Sequence, residues 1–105
     1  MANMASRRIV GIKLEYPEGT ILEMVAWELD EPVPGSTHRY KYRFYFGRSG
    51  TRLIGYDNER GKGDHRHSGA FEDPYDFRGL EQAIIDFRGD VDRSRAANSD
   101  ADDLD

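Results

Sequence analysis

Two of the chain's three histidines, His65 and His67, stand two residues apart. Around them lie Tyr56, Asp57, Asn58, Arg60, Lys62, Asp64 and Arg66, punctuated by Gly61 and Gly63. On an extended segment this spacing turns both rings to one face, where they can share a metal ion or work as an acid and base pair. Asp57 and Asp64 are the carboxylates that would complete a metal site. No third ligand is well placed, so neither a metal nor a cofactor is expected. The other chemistry is phosphodiester cleavage without metal. One group takes the 2′-hydroxyl proton, another protonates the leaving 5′-oxygen, and cations steady the phosphorane. His65 and His67 suit the proton transfers, with Tyr56 and Lys62 assisting. Arg60, Lys62 and Arg66 suit the phosphate, and Gly61 and Gly63 let the backbone approach it. The Gly61–Lys62–Gly63 run is not a Walker A loop, because the upstream glycine, the following Ser or Thr and the helix are missing. Asp57 and Asn58 equally suit an ordinary turn, and the histidines equally suit hydrogen-bonding loop positions.

These residues need a scaffold, and 105 residues with 37% hydrophobic content make one small domain. There is no cysteine, which excludes disulfides, zinc–thiolate sites and thiol nucleophiles. No apolar run has the length of a membrane span, and residues 1–8 lack the apolar stretch of a signal peptide, so a cytoplasmic protein is expected. The net charge of -5 is unevenly spread. Residues 38–67 carry eight basic against three acidic side chains, and residues 68–105 carry four against eleven. A basic middle can attract a polyanion even in an acidic protein, since screening confines charge interactions to about 10 Å.

Period-2 alternation predicts strands over Arg8–Tyr16, Ile21–Leu29, His38–Phe46 and Thr51–Tyr56. In the third, Tyr40, Tyr42, Phe44 and Phe46 share one face and read as core; Arg39, Lys41, Arg43 and Tyr45 share the other. Arg43 thereby joins the phosphate-binding candidates. Trp27 also reads as core, and His38 as a surface residue. Phe77, Leu80, Ala83, Ile84, Phe87 and Val91 recur at helical spacing, which predicts a helix from about Phe77 to Asp92 capped by Asp76 or Gly79. The expected fold is α+β: a four-stranded antiparallel β-meander with one C-terminal α-helix packed on one face. The expected organisation is a flexible N-terminus over 1–7, a single domain over 8–92 and a disordered acidic tail over 93–105.

The run from Tyr56 to His67, followed by Pro74–Tyr75–Asp76–Phe77 and the helix Leu80–Phe87, resembles the TumE-like proteins. The likeness covers roughly residues 38–92. These are small prokaryotic toxin components of toxin–antitoxin pairs. The resemblance implies a cognate antitoxin, often DNA-binding, that neutralises the toxin by contact. By matching position it points to Tyr56, Asp57, Asn58, Gly61, Lys62, Gly63, His65 and His67. The expected function is a toxin acting on RNA as a metal-independent ribonuclease through this loop. Two alternatives stand beside it: a binding module that uses its basic sheet face without cleaving, and a nucleotidyl or phosphoryl transferase.

Overall fold

A computed structural model describes the backbone of residues 5–103 and the side chains of residues 5–98. Six strands run in sequence order as one antiparallel meander: β1 (Ser6–Glu15), β2 (Ile21–Leu29), β3 (Tyr40–Arg48), β4 (Thr51–Glu59), β5 (Gly63–Ser68) and β6 (Phe71–Pro74). The helix α1 (Leu80–Asp103) follows and packs on β3 and β4. The α+β class and the C-terminal helix match expectation, but the sheet has six strands rather than four. The candidate loop is itself sheet: β4 runs on to Glu59, turns tightly, and returns as β5, with Asp57 opposite His65 and Gly55 opposite His67.

Alternation along β2–β4 divides the sheet cleanly. Leu22, Met24, Ala26, Tyr42, Phe44, Phe46, Ile54 and Tyr56 face the helix and are buried with Ala83, Phe87 and Val91. Phe87 is the keystone, its ring centre 5.4 Å from that of Phe44 and 5.6 Å from that of Tyr56. Gly79 caps the helix at a φ of +111°, a conformation that favours glycine, and its carbonyl accepts the Ala83 N–H. The helix therefore starts three residues later than Phe77, whose ring instead stacks on His38 with centres 3.7 Å apart. At the other end α1 runs on through the segment expected to be a disordered tail. Arg95 explains part of that extension: it lies over the Tyr16 ring and pairs with Glu18 at 2.8 Å, fastening the helix to the β1–β2 turn. Hydrogen bonds from Arg95 and then Thr20 pull the Glu18 carboxyl down to about 2. Of the expected flexible N-terminus, residues 1–4 lie outside the described residues and Ser6 already belongs to β1. Residues 104–105 of the expected tail also lie outside them.

Two polar side chains are built into the covered face. Asn58, fully buried, accepts the Tyr42 N–H through Oδ1 and donates to the Tyr40 carbonyl through Nδ2, completing the edge of β3 where the β3–β4 ladder stops at Arg43. Asp90, 6% exposed on the apolar stripe of α1, accepts from the Tyr56 hydroxyl, Arg66 and Arg93. Burial alone would raise the Asp90 carboxyl, but these three donors outweigh it and hold it below the usual carboxylate range. Its ionised form therefore stabilises the fold fully above the unfolded value of about 4, and that contribution disappears as pH falls through the lower folded value. Asp90→Asn should cost about 1–3 kcal/mol at pH 7. In urea melts across pH, the gap between wild type and variant should narrow below about pH 4.

Candidate functional site

The face of the sheet away from α1 carries no helix among the described residues, and two of its cross-strand rows hold the histidines. One runs Gly11, Val25, Arg43, Asp57, His65 and Pro74; the next runs Lys13, Glu23, Tyr45, Gly55, His67 and Glu72. Neighbours within a row stand about 5 Å apart at Cβ. His65 and His67 thus share this face, as their spacing implied, and β3 brings Arg43 and Tyr45 beside them.

Arg52 completes the cluster. It enters from the β3–β4 hairpin, and its arm lies flat across Gly55, where a Cβ would stand 2.6 Å from Arg52 Cδ. Its guanidinium then reaches His67 Nδ1 at 3.0 Å. A guanidinium only donates, so Nδ1 is the accepting nitrogen and Nε2 carries the proton, directed at Asp57 Oδ2 3.6 Å away. Tyr45 uses the same device, its ring lying over Gly47. A shallow depression of about 470 Å³ opens between Glu23, Arg43, Tyr45, Arg52 and Asp57.

His65 is oriented by the backbone. Its Nε2 donates to the Lys62 carbonyl at 2.9 Å, which leaves Nδ1 as the lone-pair nitrogen. That atom faces Glu72 Oε1 at 3.3 Å without a hydrogen-bonding geometry. Among the described residues, two buried side-chain polar atoms have no hydrogen-bond partner: His65 Nδ1 and Asp57 Oδ1. Both belong to this cluster, and their residues sit directly opposite each other on β5 and β4. Unsatisfied buried polar atoms are costly, and these two stand side by side in the candidate site.

The remaining candidates fall elsewhere. Tyr56 and Arg66 point to the helix side, where both bind Asp90, and burial followed by the bond to Asp90 pushes the Tyr56 hydroxyl far above its ordinary range. Tyr56 is therefore neither beside the histidines nor poised to release a proton. Arg60 and Lys62 sit in the exposed β4–β5 turn, Lys62 pairing with Glu59 at 3.5 Å. The Gly61 and Lys62 amides are already bonded, to the Pro34 and Glu59 carbonyls. Gly61 and Gly63 serve a close contact with the β2–β3 loop, where a Cβ on Gly35 would stand 2.9 Å from Gly61 Cα. His38 is not a surface residue: its side chain is 12% exposed, accepts the Tyr40 N–H at Nδ1, and meets Asp64 at 2.9 Å through Nε2. Tyr42 donates to the same Asp64 oxygen, which secures β5 against β3.

The family model described as Toxin TumE matches residues 3–95, reaching back through β1 and β2. The chain belongs to the Toxin TumE family. It is thus a toxin component of a toxin–antitoxin pair, with an antitoxin as partner. No curated protein and no solved structure gives a match. Among the described residues of this TumE-family chain, no helix is long and apolar enough to cross a membrane.

Gly55 offers a direct handle on the cluster. In Gly55→Ala the new methyl must displace the Arg52 arm, a flexible group, so stability should change by no more than about 1 kcal/mol. The His67 ring should nevertheless lose its donor. The expected result is a displaced His67 15N ring resonance with the His65 resonance little moved.

Proposed function

We propose that this toxin cleaves RNA on the helix-free sheet face, by transfer of a phosphodiester to its own 2′-hydroxyl without a metal ion. The observation that carries the reading is the pair of unpartnered buried atoms, His65 Nδ1 and Asp57 Oδ1, with Arg43 beside Asp57 in the same row and Arg52 on His67 in the next. The chemistry needs a base, an acid and cations at the phosphate, and this cluster supplies each.

His65 Nδ1, left free by the bond of Nε2 to the Lys62 carbonyl, takes the 2′-hydroxyl proton as the 2′-oxygen bonds to phosphorus. Arg43 and Arg52 carry the charge of the phosphorane. As Arg52 turns to the phosphate it frees His67 Nδ1 to hold a proton, and Asp57 beside Nε2 stabilises the resulting imidazolium. His67 then protonates the 5′-oxygen as the P–O5′ bond breaks. The products are a 2′,3′-cyclic phosphate and a 5′-hydroxyl. Arg60 and Lys62 extend the cationic rim at the neighbouring turn and hold flanking phosphates. Tyr56 and Arg66 keep a structural part, joining β4 and β5 to α1.

Induced expression in a bacterial host is the first test, with growth and RNA integrity read together. Wild type should arrest growth and yield fragments ending in 2′,3′-cyclic phosphate. His65→Ala and His67→Ala should each slow cleavage by the pure protein about 10²- to 10⁴-fold. Arg52→Ala should cost a similar order, whereas Lys62→Ala should cost little. Growth arrest with intact RNA would sink the ribonuclease reading, and arrest by the His65→Ala/His67→Ala double variant would sink the histidine mechanism.

A further inference from the structure

Trp27 is not in the core. It lies on the helix-free face, half-buried, directly between Arg8 of β1 and Lys41 of β3. An aromatic ring with a cation on each side, on a flat open sheet, has the elements of a site for one stacked base with phosphates to either side. The surrounding backbone favours that use. The β-bulge between Arg8 and Val10 carries Arg8 onto this face, and its guanidinium runs along Gly11, where a Cβ would stand 3.3 Å from Arg8 Nε. Gly11 lies in the row of Arg43, Asp57 and His65, so the Arg8 arm runs along β1 from the level of Trp27 to the level of that row.

Charge points to the same occupant. Of the acidic groups on this face, Glu23 meets Lys13 at 3.9 Å, Glu59 meets Lys62 at 3.5 Å, Glu72 faces His65 and Asp57 faces His67, while Glu15 stands at the far end of β1 from Arg8. Among the described residues, Arg8, Lys41, Arg43 and Arg52 have no carboxylate within ion-pair distance, and Lys41 donates to the Asn58 carbonyl. From β2 to β5 is three strand spacings, and Trp27 is offset from the Arg43 row by two residues. The separation is about 16 Å, within reach of a short single strand.

We infer that Trp27, Arg8 and Lys41 form a nucleobase-stacking subsite that holds single-stranded RNA a few nucleotides from the position where His65 and His67 act. The inference rests on the reading of the histidine cluster as the cleavage site. It gives the toxin a preference for unpaired RNA, since a base inside a duplex cannot present its face to the ring.

Trp27 is the chain's one tryptophan, so its emission reports this subsite alone and needs no variant. A 2′-O-methylated uridine octamer, which cannot be cleaved through its 2′-oxygen, should quench that emission saturably. Anisotropy of the labelled octamer gives the affinity in parallel. Trp27→Phe should bind nearly as well as wild type and Trp27→Leu about tenfold more weakly. Arg8→Ala should weaken binding and lower the salt slope by about one. Binding with unchanged Trp27 emission, and with Trp27→Leu at full affinity, would overturn the subsite and leave the histidine cluster standing. No binding by anisotropy would overturn the cluster's RNA reading and the subsite together. Quenching by the antitoxin but not by RNA would assign the face to protein contact and overturn the proposal.

Discussion

One helix can cover only one face of a six-stranded sheet, and the organisation of this protein follows from that constraint. The covered face must be apolar and the other must tolerate water. The chain meets both needs by alternation along β2–β4, so each of these strands contributes simultaneously to the core and to the open face. Cations, histidines and Trp27 are held on the open face by the same backbone that buries Phe44, Phe46 and Tyr56. The candidate cluster therefore lies on an open surface, without a deep cleft. Its precision comes from strand pairing, which sets cross-strand neighbours at fixed spacing, and from glycines that let long side chains lie along the sheet.

The same alternation divides the run from Tyr56 to His67 into two jobs. Tyr56, Asn58, Asp64 and Arg66 lie on the helix side, where they make hydrogen bonds or ion pairs that join strands to one another or to α1. Asp57, His65 and His67 turn outward into the candidate site. A dense cluster of functional side chains is thus two clusters back to back. The inward set fixes where β4 and β5 lie, and the outward set depends on that placement. Gly61 and Gly63, between them, allow the β2–β3 loop to come close.

The strands that announce themselves in the sequence are those whose apolar residues alternate, whether that face is buried, as in β2–β4, or largely exposed, as in β1. β1 to β4 and the helix stripe were legible because apolar residues recur at the right period. β5 and β6 were not: Gly63–Ser68 is polar on both faces, and Phe71–Pro74 is a short exposed edge held by its neighbour. The extension of α1 depends on Arg95 meeting Glu18 and Tyr16, a contact far apart in sequence that no local pattern reveals. That His65, His67 and Arg43 share a face was legible from their spacing and from the alternation of the third strand. Tyr56 and Arg66 were grouped with them because, with β5 read as loop, nothing separated the two sides. The placing of Arg52 beside His67 was not read from the sequence, though a glycine inside β4 at Gly55 was a usable signal that something lies against that strand.

Every strand pairs only with its neighbours in sequence, and this has a consequence for how the molecule comes into being. Hairpins can form one after another as the chain leaves the ribosome, because each closes a short loop. The aromatic face they create stays bare until Phe87 and Val91 arrive to cover it. The outward face is equally late, since His65 and His67 come only with the fifth strand. Synthesis thus delivers a half-built, exposed sheet first and the assembled toxin last. For that interval the nascent chain presents sticky surface without the complete cluster, a state that favours early capture by a chaperone or by a partner made beside it.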